Sequence, residues 1–306
     1  MIGQPLKTTL LVTGASGLLG SEVVAQATRQ PNPGFWAVWG TWHSQPCRFP
    51  GSKSYPLDVS DRSAVWRLVE QLQPDAIVHT AYLKDGPQAH TVTAQGSRYI
   101  AEAAEAFGAR LVHVSSDVIF DGEHAPYDEA APPAPVHPYG EAKAEAEAEV
   151  QRLAPSAAIV RTSLINRLDP PDRITAWIVD CLQQGLPITL FTDEIRSPVW
   201  VDNLAAALLE LALSDFAGVI NVAGTQALSR YEMGQRLARH LGLDAGKITA
   251  GLSLGSGLAR PRNCTLDVRL AQRLLHTPLR SYDEGLGGYL ENVGQIAGFV
   301  RTARAN

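Results

Sequence analysis

Thr8-Thr9-Leu10-Leu11-Val12-Thr13-Gly14-Ala15-Ser16-Gly17-Leu18-Leu19-Gly20 is the stretch on which the reading of this chain turns. The apolar run Leu10–Val12 ends in a glycine turn, and Ser21-Glu22-Val23-Val24-Ala25 then follows helical periodicity. Strand, glycine turn and helix start form the context of a dinucleotide fingerprint. Gly14 suits the tight turn, Gly17 lets a pyrophosphate approach the backbone, and Gly20 lets the helix lie close to the strand. Ser16, Leu18 and Leu19 belong to the same turn, where N–H groups at the positive end of the helix dipole face phosphates. The spacing is G-x-x-G-x-x-G rather than G-x-G-x-x-G. A glycine triplet elsewhere marks an ordinary turn; its place between strand and helix is what points to a nucleotide.

With 306 residues and a net charge of −5, the chain can bury a substantial core and carries no basic stripe. Nucleic acid is therefore not expected as a partner. Its apolar runs are strand-length, so no membrane span is expected, and residues 1–7 lack a signal-peptide pattern. Cys47, Cys181 and Cys264 are far apart and odd in number, which reads as thiols in a reducing cytoplasm. His79 and His113 sit in apparent strands as hydrogen-bonded structural residues, and no metal site is expected.

Outward from the glycine turn, Phe35–Thr41 reads as a second strand, whose end meets the adenosine ribose in this architecture. An acidic residue there would favour NAD. The sequence instead continues Trp42-His43-Ser44, with Arg48 close behind. His43 and Ser44 thus favour the 2′-phosphate of NADPH, with NADH the alternative cofactor and a solvent loop the alternative reading. Asp58 and Val59 precede a helix capped near Ser60-Asp61, where Asp58 contacts adenine or closes a turn. Asp75–Ala81 is a further strand, and Thr80 and Ala81 are small residues past which a cofactor can run. A helix over 88–107 and a strand over 110–116 continue the βαβ rhythm of a parallel sheet covered on both faces.

The fold expected is α/β, a Rossmann-type doubly wound parallel sheet with a smaller C-terminal lobe. Residues 1–162 form the nucleotide-binding part, with segments near 201–224 returning to it, and 163–306 are mainly the substrate lobe. Helices are expected near 173–183, 201–214, 230–241 and 267–275, with strands at 187–191 and 218–223. Glu141, Glu145 and Glu149, at i, i+4 spacing in a helix-favouring run, predict a solvated face.

Two features carry chemistry. Tyr139 and Lys143 are four apart and share a helical face. A lysine ammonium beside a phenol, with an oxidised nicotinamide, lowers the phenol's pKa and suits it to proton transfer. Y-x-x-x-K alone arises by chance. Ser115-Ser116-Asp117 closes a strand at the sheet edge where ligands bind, and a serine hydroxyl there can bond a substrate carbonyl. Alone, it marks a strand cap. Glycine turn, strand-end serine, then Tyr and Lys on the next helix form the order that matters.

These motifs resemble the extended short-chain dehydrogenases/reductases and, within them, the dTDP-4-dehydrorhamnose reductase group. The resemblance rests on Thr13–Gly20, Ser115-Ser116-Asp117-Val118-Ile119-Phe120-Asp121-Gly122, Pro126-Tyr127-Asp128-Glu129, His137–Lys143, Val160–Ser163 and Arg260–Asp267. It implies an NAD(P)H-binding oxidoreductase acting on a nucleotide-linked 4-keto-6-deoxy sugar. Tyr139 would be proton donor and Lys143 its partner and ribose ligand. Ser116 would bond the keto oxygen, Asp117 orient the sugar, and Arg260 and Arg262 bind the diphosphate, with surface arginines as the alternative reading. A homodimer is common among such proteins, although no interface is legible here.

Two departures stand out. The family's asparagine in the helix after the fourth strand is missing from His90-Thr91-Val92-Thr93-Ala94, and Tyr82 is bulky beside a cofactor. The alternatives are another sugar-nucleotide epimerase or ketone reductase, and a non-catalytic NADP-binding regulatory subunit resembling that of methionine adenosyltransferase.

Overall fold

A computed structural model describes residues 8–29, 35–254, 257 and 259–288; residues 1–7 lie outside it. The chain begins β1 (Thr8–Thr13), α1 (Leu18–Arg29), β2 (Trp36–Trp42), β3 (Lys53–Pro56), α2 (Arg62–Leu72) and β4 (Ala76–His79). It continues with α3 (Gly96–Ala106), β5 (Arg110–Val114), α4 (Pro138–Leu153) and β6 (Ala158–Arg161). Next come β7 (Ile165–Asn166), α5 (Arg173–Gln183), β8 (Ile188–Phe191), β9 (Ile195–Arg196), β10 (Val199–Trp200) and α6 (Val201–Ala212). β11 (Gly218–Asn221), β12 (Leu228–Ser229), α7 (Arg230–His240), β13 (Ile248–Gly251) and α8 (Arg269–Leu274) complete the described elements.

Seven strands form one parallel sheet in the order β11-β6-β5-β4-β1-β2-β3. This is the Rossmann-type α/β architecture. Its apolar strands are buried on both faces, with Leu10, Val12, Val78 and Val112 in one core and Leu11, Ile77, Leu111 and Ile159 in the other. α1 and α6 share the first core, while α2, α3 and α4 cover the second. α6 packs on α1, and β11 extends the sheet beside β6. A third core joins α5, β8, α7 and β13 beyond the sheet.

The sequence reading passed over β3, whose Lys53-Ser54-Tyr55-Pro56 lacks an apolar run. It is the sheet's edge strand, where a proline costs no ladder bond. The helix expected over 88–107 is present, but Thr91–Gln95 form one π-helical turn before α3. Glu141 and Glu145 are exposed as predicted, whereas Glu149 is half-buried and paired with Arg152 at 2.7 Å.

Gly14 has φ +72°, and a Cβ there would lie 2.8 Å from the Ala81 backbone. A Cβ on Gly20 would drive into the Gly14 carbonyl and stand 2.7 Å from the Thr80 hydroxyl. Gly17 is exposed, and a Cβ there meets that carbonyl at 3.3 Å. Gly20→Ala is therefore expected to cost about 2–3 kcal/mol in denaturant unfolding, and Gly17→Ala clearly less. Equal losses for the two variants would contradict this packing.

Candidate active site

At the carboxyl end of β1, Ser16 and Gly17 are exposed, Gly14 and Leu18 are partly covered, and Leu19 and Gly20 are buried. The first-turn N–H groups of α1 have no acceptor within the helix. A tight, Cβ-free turn under these amides fits a dinucleotide pyrophosphate. Thr80 and Ala81 follow β4 directly against this turn. The Thr80 hydroxyl donates to the Thr13 carbonyl at 2.7 Å, which locks the close approach on which Gly14 and Gly20 depend.

His43 and Ser44 are exposed just after β2, at the same sheet edge. His43 Nε2 lies 3.8 Å from Asp58. Asp58 accepts from the Ser60 N–H at 2.9 Å and the Ser60 hydroxyl at 2.6 Å. Its carboxylate is held below the usual range chiefly by the Ser60 hydroxyl. Of the two readings of Asp58, the turn-closing one matches this geometry. Val59 is buried under Gly96 at the start of α3.

β5 leads directly into Ser115 and Ser116. Ser116 caps the 3-10 turn Asp117–Ile119 and is partly exposed. The next helix, α4, is capped by His137, whose Nδ1 accepts from the Gly140 N–H at 2.9 Å. Gly140 has no room for a Cβ because the Val118 carbonyl of that turn occupies the space. One turn on, Lys143 is buried and donates from Nζ to the Val114 carbonyl at 2.8 Å. α4 is thus pinned to the end of β5 at two points, and Tyr139 and Lys143 come to the strand end that carries Ser116.

The protein's own groups act on Tyr139 in one direction. Burial raises its pKa first, and Tyr82 and the Asp117 carboxylate raise it further. The Lys143 ammonium is directed to the Val114 carbonyl and stands over the ring of Tyr82, 5.5 Å from the centroid. Tyr139 is therefore a protonated phenol across neutral pH. Burial also draws Lys143 down to about 8, against which Glu147 pulls upward. Glu147 itself is buried against Arg161 at 2.9 Å.

Beneath the pair lies a buried polar layer. His79 bonds the Thr13 hydroxyl at 2.6 Å and the Ser97 hydroxyl at 3.1 Å, as the sequence reading anticipated for a structural histidine. His113 differs: neither ring nitrogen has a protein partner among the described residues, and the ring stacks on His79 at 5.5 Å. Burial lowers both histidines, His79 to about 3, so both rings are neutral.

Asp117 does not face open space. It is 2% exposed, accepts from the Ser163 hydroxyl at 2.6 Å and lies 3.7 Å from Arg196 Nε. Arg196 in turn donates to the carbonyls of Ile195, Pro261 and Arg262. Asp117 therefore ties the sheet to the later segments. Arg260 and Arg262 do not converge either. Arg260 pairs with buried Glu194 at 2.8 Å, beside Arg230 at 3.4 Å, while Arg262 pairs with Glu123 at 2.6 Å on the surface. For Arg262 the surface reading matches. Arg196, Arg230 and Glu194 went unnoticed in the sequence because their partners are remote along the chain. Among the described residues, no group of His, Cys, Asp or Glu is placed to hold a metal, and no helix is long and apolar enough to cross a membrane.

Residues 8–295 match the model of the RmlD substrate-binding domain. The chain belongs to this family. It is 32% identical over 273 residues to a probable low-salt glycan biosynthesis reductase, Agl14, of Haloferax volcanii, covering 84% of this chain and 89% of that one. It is 28% identical to the dTDP-4-dehydrorhamnose reductase of Mycobacterium tuberculosis, with 90% of each covered. The beta subunit of methionine adenosyltransferase 2 from Danio rerio is 27% identical, with 84% of this chain and 82% of that one covered. Among solved structures, dTDP-4-dehydrorhamnose reductase from Bacillus anthracis, in complex with NADP, shares the fold with a TM-score of 0.80 at 24% identity, covering 95% of this chain and 100% of that one.

The ion pair behind Lys143 gives a direct test of the site's frame. Glu147→Leu leaves Arg161 buried and uncompensated, with an expected loss of about 3–5 kcal/mol in denaturant unfolding. Adding Arg161→Met recovers much of that loss. A single variant as stable as the parent would contradict the burial of the pair.

Proposed function

We propose that this chain is an NADPH-dependent reductase of a nucleotide-linked 4-keto-6-deoxy sugar, with dTDP-4-dehydrorhamnose as the first substrate to try. The observation that carries the reading is the docking of α4 on the end of β5, which brings Tyr139 and Lys143 to Ser116. Support also comes from family membership and from relatives named as reductases.

In this reading Ser116 bonds the substrate's keto oxygen through its hydroxyl. Tyr139 gives that oxygen its phenolic proton as the carbonyl carbon is reduced, and Lys143 stabilises the phenolate left behind. The cofactor, when bound, supplies the hydride. Its pyrophosphate is assigned to the turn of Gly14, Ser16, Gly17, Leu18, Leu19 and Gly20, and its further contacts to Val59, Thr80, Ala81 and the Lys143 ammonium. His43 and Ser44 are the residues assigned to a 2′-phosphate. Arg260 and Arg230, joined through Glu194, are the cations assigned to the substrate side.

The test follows absorbance loss of NADPH and NADH with enzymatically prepared dTDP-4-dehydrorhamnose. NADPH oxidation is expected, reduced about 10²–10⁴-fold in Tyr139→Phe with cofactor binding retained. Tight cofactor binding without turnover of any sugar nucleotide would contradict the enzyme reading and favour a regulatory role. Because the Lys143 charge is lost as pH rises through about 8, kcat is expected to fall on that alkaline limb. A flat profile from pH 7 to 9.5 would remove Lys143 from the reaction.

A further inference from the structure

The Tyr139–Lys143 pair has a third neighbour. Tyr82 follows β4 and is 55% exposed. Its ring lies 5.7 Å from that of Tyr139, centroid to centroid, and Lys143 Nζ stands 5.5 Å from its centroid. The loop that carries it is fixed by one residue of the π-helical turn. The Thr93 hydroxyl accepts from the Leu83 N–H at 3.1 Å and donates to the Leu83 carbonyl at 2.9 Å. A π-turn inside a helix often marks a functional position, and here it delivers the side chain that holds the Tyr82 loop.

The surroundings of Lys143 show what that ring does. An ammonium has three donors, and one is used on the Val114 carbonyl. From β4 and β5 it is faced by the neutral imidazoles of His79 and His113. From its own helix it is faced by the protonated phenol of Tyr139 and by Glu147, which is itself paired with Arg161 of β6. None of these offers it a free anion. The negative face of an aromatic ring attracts a cation and leaves a neutral amine nearly indifferent, and the attraction grows when the cation is desolvated.

We propose that Tyr82 is a positioning residue for the Tyr139–Lys143 pair: its ring face receives the Lys143 ammonium and holds it charged beside Tyr139, while Thr93 fixes the loop that presents the ring. The contact stands on geometry alone; its consequence for turnover rests on the function proposed above.

The sign follows from the charge state. The ring favours the ammonium, so removing its π face lowers the Lys143 pKa further below the usual lysine value. Tyr82→Leu keeps an apolar side chain over the site, Tyr82→Phe keeps the ring without the hydroxyl, and the exposure of the position lets both fold. The chain has five lysines, Lys7, Lys53, Lys84, Lys143 and Lys247. Lysine labelled with ¹³C at Cε can therefore be titrated residue by residue in the protein without cofactor or substrate. The Lys143 midpoint is expected to fall by about half a unit in Tyr82→Leu and to stay in place in Tyr82→Phe. Thr93→Val, which frees the loop and leaves the ring intact, is expected to move it the same way by less. A Lys143 midpoint that is unmoved or raised in Tyr82→Leu overturns the proposal. In turnover, the alkaline limb of kcat is expected to move with the midpoint. A shifted midpoint with an unmoved limb upholds the contact and removes Lys143 from the proposed reaction, so the two failures are distinguishable.

Discussion

The structure depends on how closely α4 can approach the end of β5. Gly140 presses its backbone against the Val118 carbonyl, and the Lys143 ammonium reaches the Val114 carbonyl at 2.8 Å. These contacts join the sheet to the helix of Tyr139 and Lys143, and both use main-chain oxygens, which side-chain substitutions do not remove. The burial of Lys143 has two consequences. It makes the lysine sensitive to every neighbouring dipole, and it brings its pKa into a range where pH can switch it. Ser116, Tyr139 and Lys143 are therefore set by backbone geometry first and by side-chain electrostatics second.

A second frame lies on the other side of β5. Asp117, Ser163 and Arg196 form a buried cluster that reaches the carbonyls of Pro261 and Arg262. It connects the 3-10 turn after Ser116 to segments far along the chain. Breaking such a cluster leaves a buried charge without compensation, which is the costly direction for an internal ion pair. The residues at the head of the site are thus held from both sides, by α4 and by the later segments. The exposed rim, with Ser16, Gly17, His43 and Tyr82, is where a ligand can enter.

Much of this was legible from pattern. The apolar runs at Leu10–Val12, Ile77–Val78 and Leu111–Val112 fall on buried central strands, because a parallel sheet covered on both faces demands continuous hydrophobicity. Gly14 and Gly20 stand where close packing excludes a Cβ, and the Tyr139–Lys143 spacing places both on one helical face. What escaped reading has long-range causes. Nothing near Asp117 in the sequence announces Arg196 or Ser163, its partners in the fold. Lys53–Pro56 has no strand pattern and is ordered by its place at the sheet edge. Helical spacing gives proximity but not aim: the Lys143 ammonium is aimed at the Val114 carbonyl and the face of Tyr82.

The central claim is that this arrangement reduces a sugar ketone, with the proton coming from Tyr139. The measurement that tests it most directly is isotope transfer. NADPH deuterated on the nicotinamide C4, presented separately as each stereoisomer, is incubated with protein and dTDP-4-dehydrorhamnose, and the sugar product is analysed by mass spectrometry and NMR. The account predicts one carbon-bound deuterium at C4 of the sugar from one of the two stereoisomers, and a strongly reduced yield with Tyr139→Phe. Deuterium that stays on a tightly bound cofactor, with the sugar recovered unchanged, would contradict it.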